Sequence, residues 1–162
     1  MKLMLIDDEM PILESLERAL KPTGYGCVTF QSSLKAIEAY RGGGFDVVIT
    51  DFMMPEMNGI EVLKALRVMD GEARVIILTG YADIDNAIAA VNNGAYAFFR
   101  KPLDFREFIR TLKQIEQEME GKQQKEVDMR RIQEEYARLR TAFDSLQEVV
   151  REMGGQRQER VG

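Results

Sequence analysis

The chain has 162 residues, of which 45% are hydrophobic and 30% charged, and its formal net charge is −5. These values are typical of a globular protein with one ordinary domain and an appendage, and no apolar run is long enough to cross a membrane. The single cysteine, Cys27, excludes an internal disulfide framework and fits a reducing cytoplasm, where we expect the protein to be. The absence of histidine excludes histidine-dependent catalysis and histidine metal sites.

Charge is distributed unevenly along the chain. Residues 1–118 contain 13 Lys and Arg against 18 Asp and Glu, whereas residues 119–162 contain nine of each. Neither segment has the basic excess of a nucleic-acid-binding surface. We therefore expect no direct nucleic acid binding by this chain, and no membrane partner.

Five short apolar runs alternate with helical patterns over the first 118 residues. The runs are rich in Val, Ile and Phe and are bounded by Gly, Asp or Pro, which is typical of buried parallel strands. Between and after them, apolar residues recur every three or four positions, as on one face of a helix. The predicted strands are 3–6, 27–30, 45–50, 75–78 and 96–99, and the predicted helices centre on 12–20, 36–40, 60–66, 84–91 and 105–112. This alternation predicts an α/β fold, a doubly wound five-stranded parallel sheet.

The pattern changes after residue 118. From residue 119 onward there is no proline and no strand-like run, and apolar residues recur at alternating spacings of three and four. They are Met129, Ile132, Tyr136, Leu139, Phe143, Leu146, Val150 and Met153. Because this is the spacing of a coiled-coil seam, residues 119–155 are predicted to form a coiled-coil helix that pairs in a homodimer. The alternative is a single amphipathic helix that folds back on the preceding domain.

Polar and glycine-containing stretches flank this seam. The stretch 121–126 is either a flexible joint or a solvated part of one long helix. Within the seam, Glu135 and Arg140 occupy g and e positions five residues apart, where a parallel partner could pair them. Gly154 and Gly155 end the pattern, and residues 156–162 are predicted to be a disordered tail.

Polar residues follow four of the five predicted strands. Asp7 and Asp8 follow the first, Asp51 the third, Thr79 the fourth, and Lys101 comes after the fifth. In such a sheet the working site lies at the carboxyl ends of the strands, so these side chains should converge there. Three converging carboxylates call for a cation, and Mg²⁺ is the natural choice, with Mn²⁺ as an alternative. Each residue alone is more often a turn former or a solvated side chain, and only their joint occurrence points to a site.

Four motifs carry a resemblance to a known family. They are Leu-Ile-Asp-Asp-Glu at 5–9, Val-Ile-Thr-Asp-Phe-Met-Met-Pro-Glu-Met-Asn-Gly at 48–59, Leu-Thr-Gly at 78–80, and Gly-Ala-Tyr-Ala-Phe-Phe-Arg-Lys-Pro at 94–102. In order and spacing they resemble the receiver domain of bacterial two-component response regulators, which has a flavodoxin-like fold. The resemblance covers roughly residues 2–118, so residues 1–118 are predicted to be a receiver domain. The stretch Thr-Gly-Tyr-Ala-Asp at 79–83 is most similar to receivers of enhancer-binding transcription activators.

The resemblance implies a role for each matching residue. Asp51 would accept a phosphoryl group from a sensor histidine kinase. Asp8, Asp51 and the main-chain carbonyl of Met53 would bind Mg²⁺ directly, and Asp7 would do so through water.

The same family pattern implies a phosphoryl-binding and switching set on the last two strands. Thr79 and Lys101 would bind the phosphoryl group, and the Lys101–Pro102 peptide bond would be cis. Thr79 would also be the switch hydroxyl. Phe98 occupies the place of the switch aromatic, where the family often has Tyr, so a hydroxyl for partner recognition is lacking.

Two rival functions are disfavoured by particular residues. A phosphohydrolase with an aspartyl nucleophile typically carries a second acid two residues later, where this chain has Met53. A flavodoxin-like cofactor binder would have its flavin phosphate repelled by the acids. We therefore expect no enzyme, but a phosphoacceptor that at most phosphorylates itself from small donors and dephosphorylates itself. Either the coiled coil is the output, or the chain is the front of a longer regulator whose effector domain is absent here.

Overall fold

The computed structural model of the chain describes residues 1–80 and 84–158. Within them, five strands alternate with five α-helices, as the apolar pattern predicted. The strands are β1 (Lys2–Ile6), β2 (Gly26–Phe30), β3 (Val47–Asp51), β4 (Val75–Thr79) and β5 (Ala97–Arg100). The helices are α1 (Met10–Leu20), α2 (Ser33–Arg41), α3 (Gly59–Met69), α4 (Ile84–Asn92) and α5 (Phe105–Gln158).

The five strands form one parallel sheet in the order β2-β1-β3-β4-β5. The strand order reverses between β1 and β3, and in doubly wound folds the crevice at such a reversal lies at the carboxyl ends of the strands. The structure thus confirms the predicted fold class. It differs at the start of β3, where Phe45 stacks on Tyr40 with ring centroids 6.5 Å apart and precedes the strand. Its apolarity serves packing rather than sheet pairing.

Alternate side chains of the strands pack into separate apolar layers. Because successive strand residues point to opposite faces, one layer contains Met4, Val48 and Ile77 together with buried residues of α2, α3 and α4. Phe99 of β5 contacts Phe108 of α5 edge to face, with ring centroids 5.5 Å apart. Every residue of β3 and β4 is buried. These two inner strands, β3 and β4, therefore fix the position of the residues that end them.

Helix α3 begins directly against the end of β3. Asn58 caps it by accepting from the Ile60 and Glu61 backbone N–H groups, and the Glu61 carboxylate accepts from the Asn58 N–H in return. A Cβ on Gly59 would lie only 2.8 Å from the backbone oxygen of Asp51. Glycine is required here because two backbones approach closely.

The last helix is far longer than the others. α5 runs for 54 residues without a break, so the polar stretch 121–126 belongs to one long helix. The chain divides into two compact units, Met1–Lys113 and Gln114–Gly162, slightly before the predicted boundary. Among the helices of the described residues, none combines the length and hydropathy needed to cross a membrane.

The helix extends beyond its predicted end. Gly154 and Gly155 are helical, and α5 continues to Gln158, three residues past residue 155. Glycine inside a helix costs about 1 kcal/mol relative to alanine, which weakens a helix without necessarily ending it. Residues 159–162 of the predicted tail lie outside the described residues.

Candidate functional site

Three side chains from the carboxyl ends of three strands meet at one edge of the sheet. The ammonium nitrogen of Lys101 lies 2.6 Å from Oδ1 of Asp51 and 2.8 Å from Oδ2 of Asp7. Asp7 directly follows β1, Asp51 is the last residue of β3, and Lys101 follows β5. The ammonium therefore neutralises two carboxylates that would otherwise repel each other.

Burial and contact shift the pKa of both partners in the Asp51–Lys101 pair. Burial raises the pKa of the Asp51 carboxyl above its usual value, and the hydrogen bond and charge of Lys101 oppose this only in part. Burial by itself lowers the pKa of the Lys101 ammonium, but the hydrogen bonds and charges of Asp51 and Asp7 outweigh it, so the pKa is raised. The lysine is thus held as a cation beside a carboxylate that is costly to keep ionised.

Backbone groups orient the two buried carboxylates. The second oxygen of Asp51 accepts a hydrogen bond from the Met53 N–H at 2.7 Å, and Oδ1 of Asp7 accepts from the Glu9 N–H at 2.9 Å. The relative exposure of Asp51 is 7% and that of Asp7 is 1%. One oxygen of each carboxylate thus faces Lys101 while the other is held by the loop that follows its strand.

The predicted third carboxylate is more exposed than this pair. Asp8 is exposed, and no three acidic, cysteine or histidine side chains are grouped as metal ligands in residues 1–80 and 84–158. The ammonium of Lys101 occupies the space between Asp7 and Asp51. The groups here that could coordinate a metal are nonetheless carboxylate and carbonyl oxygens, the ligands that Mg²⁺ prefers. The donor set therefore fits a hard divalent cation.

Thr79 and Phe98 lie on neighbouring strands beside the acidic pair. Thr79 ends β4 and is fully buried, and its carbonyl accepts a hydrogen bond from the Lys101 N–H at 2.7 Å. Phe98 on β5 is partly buried and contacts Phe52 edge-on, with ring centroids 6.5 Å apart. The Lys101–Pro102 peptide bond is cis. Residues 81–83 of the motif that starts at Thr79 lie outside the described residues.

Reasoning from the sequence missed one polar residue near this site. The Glu56 carboxylate accepts hydrogen bonds from the hydroxyls of Ser32 and Ser33, at the start of α2. The serine pair is visible in the sequence as a helix-capping signal. Its acidic partner, 23 or 24 positions further on, carries no local signal that would have identified it.

The chain is similar to known proteins over its first two thirds. Residues 3–113 match the response regulator receiver domain family. The transcriptional regulatory protein ZraR of Klebsiella oxytoca is 34% identical over 110 residues, which are 68% of this chain and 25% of that protein. The DNA-binding transcriptional regulator NtrC of Escherichia coli K12 is 35% identical over 105 residues, 65% of this chain and 22% of that protein. The chain thus spans about a quarter of the length of these curated relatives.

Solved structures agree with this match. A response regulator receiver domain protein from Clostridium thermocellum superposes with a TM-score of 0.70 at 32% identity, covering 74% of this chain and 96% of that one. The beryllofluoride-activated NtrC4 receiver domain, solved as a dimer in solution, gives 0.69 at 29% identity, covering 72% and 97%. The similarity covers the domain that contains the site.

Proposed function

The chain belongs to the receiver family of two-component response regulators, and on that premise we propose that Asp51 accepts a phosphoryl group from a sensor histidine kinase. One observation carries the proposal. A nearly buried carboxylate ends a central strand and lies 2.6 Å from a fixed ammonium. Receiver domains are signalling domains, so the phosphorylated aspartate is the signal rather than an intermediate in turnover of an external substrate.

The proposed transfer needs a nucleophile and a positive environment. A carboxylate oxygen of Asp51 attacks the phosphorus of the kinase's phosphohistidine, and an oxygen–phosphorus bond forms as the phosphorus–nitrogen bond breaks. The electron pair of the broken bond returns to the imidazole nitrogen, and a proton from solvent completes the neutral histidine. Such transfers depend mainly on positioning and charge neutralisation, which the Lys101 ammonium supplies. Acetyl phosphate would react in the same way and release acetate.

The oxygen ligands for a metal come from the loops after β1 and β3. Asp8, Asp51 and the main-chain carbonyl of Met53 would hold Mg²⁺ directly, with Asp7 contributing through water and Mn²⁺ as the alternative ion. When bound, the ion would supply further charge neutralisation on the transferred group. The Met53 N–H already bonds the Asp51 carboxylate, which fixes the loop that would present this carbonyl.

The conformational response would begin at Thr79. Its hydroxyl is proposed to donate a hydrogen bond to a phosphoryl oxygen, and Phe98 then moves inward beside it. Phe98 is only partly buried and contacts Phe52 edge-on, so inward movement would bury ring surface that is now exposed. Without a hydroxyl, Phe98 would signal through packing and shape alone.

We further propose that the output passes through α5 to a second copy of the chain. The seam residues from Met129 to Val150 are exposed by 56–68% along the helix. Phosphorylation adds about −1.5 to −2 charges at Asp51 and is expected to change helix pairing or register. The alternative is that the chain is the receiver and dimerisation linker of a longer regulator, as the greater length of its relatives suggests.

Incubation with acetyl phosphate and Mg²⁺, followed by intact mass and light scattering, tests this function. We expect a Mg²⁺-dependent gain of one phosphoryl group in the wild type and none in Asp51→Asn. Asp46→Asn, directly before the same strand, is the matched control and should retain the gain. A folded wild type that gains no phosphoryl group would contradict the proposal. An unchanged oligomeric mass after phosphorylation would contradict a change in helix pairing, but not a change in register within a dimer.

A further inference from the structure

A series of hydrogen bonds connects the loops that follow β1, β2 and β3. In the loop after β2, the Gln31 side-chain amide donates to the backbone carbonyl of Asp8 at 3.1 Å. The next two residues, Ser32 and Ser33, donate their hydroxyls to Glu56 at 2.8 and 3.0 Å. We name Gln31, Ser32, Ser33 and Glu56 the polar bridge. Neither the family match nor the motifs assign it a role.

Glu56 is bound at the amino end of α2 as an anion. Its carboxylate also accepts the Leu34 backbone N–H at 3.3 Å, where the helix dipole favours negative charge. The Ser32 hydroxyl, followed by the Leu34 N–H, lowers the pKa of Glu56. Ser33, the other partner, is 1% exposed. An exposed carboxylate is therefore held by a buried hydroxyl and a helix end.

The polar bridge ties down the middle of the loop that joins β3 to α3. At its start, the loop is fixed by the Met53 N–H on Asp51. At its end, Asn58 and Glu61 form the reciprocal cap of α3. Between these anchors, Glu56 joins the loop to α2. The loop is thus held at its start, middle and end, and the middle anchor joins it to α2.

We propose that the polar bridge sets the separation between the loops after β1 and β3 and thereby tunes the affinity for Mg²⁺, a proposal that rests on the function proposed above. At one end of the polar bridge, Gln31 bonds the backbone carbonyl of Asp8, whose carboxylate would bind Mg²⁺. At the other end, Glu56 is held in the loop whose Met53 carbonyl would bind the same ion. The Met53 carbonyl belongs to the main chain, so no side-chain rotation can move it toward the ion. Its position is set by the backbone of the loop. Gln31, Ser33 and Glu56 are positioning residues because they act through these ligands.

The test measures Mg²⁺ binding to the unphosphorylated protein by isothermal titration calorimetry, with MgCl₂ as the only ligand. Glu56→Ala removes the acceptor, and the uncharged change Ser33→Ala removes a donor. We expect each to raise the dissociation constant for Mg²⁺ by about tenfold, the low end of the range for groups that support metal ligands. The double variant should bind Mg²⁺ no more weakly than the single variant with the lower affinity, because both changes break the same bridge.

Controls separate positioning from charge and from the function itself. Glu38→Ala, on the exposed side of α2, makes the same change in charge and should leave the dissociation constant unaltered. Phosphorylation by acetyl phosphate should return to the wild-type rate in both bridge variants once Mg²⁺ is saturating. Unaltered binding in both variants, or an equal effect of Glu38→Ala, would overturn the bridge while leaving the phosphoacceptor function intact. A wild type that neither binds Mg²⁺ nor gains a phosphoryl group would overturn both.

Discussion

At the scale of single residues, Lys101 decides whether the acidic site can stay ionised. Its ammonium contacts Asp7 and Asp51, and its side chain is 23% exposed. Lys101→Met should lower the free energy of unfolding at neutral pH by about 2 kcal/mol, less than for a fully buried pair because of this exposure. Lys64→Met, on the exposed side of α3, should change it by less than about 0.5 kcal/mol. Urea unfolding monitored by circular dichroism measures both.

The effect of Lys101→Met on the free energy of unfolding should depend on pH. Burial already raises the folded-state pKa of Asp51, and removal of the ammonium raises it further. A carboxyl whose pKa is higher in the folded state favours folding at low pH, and this contribution is lost as the pH rises through the folded-state value. The stability difference between wild type and Lys101→Met should therefore shrink as the pH falls from neutral toward 4. A difference that grows on acidification would contradict the pairing.

The hydroxyl of Tyr40, away from the acidic site, is a second group whose pKa the fold shifts. Burial, followed by the hydrogen bond from its hydroxyl to Asp70, raises its pKa to about 12. The resulting stability is present below the ordinary tyrosine pKa, about 10, and is lost as the pH rises from there toward 12. Asp70→Asn should lower the pKa of Tyr40 without restoring the ordinary value, because burial remains. Nuclear magnetic resonance of the ring carbons follows this titration, and an unchanged midpoint would contradict the role of Asp70.

At the scale of elements, the contact between β3 and α3 leaves no room for a side chain. A Cβ on Gly59 would lie 2.8 Å from the Asp51 oxygen and 3.2 Å from Cα of Phe52, and neither backbone atom can move cheaply. Gly59→Ala should lower the free energy of unfolding by about 1 to 3 kcal/mol. Gly42→Ala is the matched control, since the nearest atom there is 3.4 Å away and the backbone angle φ is −71°. Equal effects of the two changes would contradict the close approach.

The sequence predicted most of these elements because their signals are local. Buried strands such as β4 appear in the sequence as short apolar runs. Asp51 and Thr79, which end β3 and β4, lie at the same edge of the sheet because the strands are parallel. The Glu56 contact with α2 escaped prediction because it joins segments that are distant in the sequence through polar side chains with no local signal. The continuation of α5 past Gly155 escaped prediction because helix-breaking signals are only preferences. Long-range polar contacts away from the strand ends therefore required the structure.

At the scale of the whole molecule, the exposed face of α5 calls for a partner. Seven apolar side chains between Met129 and Val150 are each more than half exposed, and a lone helix with such a face is stabilised mainly by packing. The composition also specifies a partner. Leu139 and Leu146 occupy d positions, where leucine is typical of parallel two-stranded coiled coils, and Glu135 can pair with Arg140 of a parallel copy. A second copy of the same helix satisfies both features.

We predict a dimer that one buried charge disrupts. Leu139→Lys places an ammonium in the seam of each helix, while Ala137→Lys makes the same charge change on the outer face at a b position. Loss of two buried leucines should weaken association by at least about 3 kcal/mol, roughly a hundredfold in the dissociation constant. Light scattering should therefore show a dimer for the wild type and for Ala137→Lys, and a monomer for Leu139→Lys at the same concentration. A monomeric wild type would contradict pairing with a second copy, and equal masses for the two variants would exclude this seam as the dimer interface.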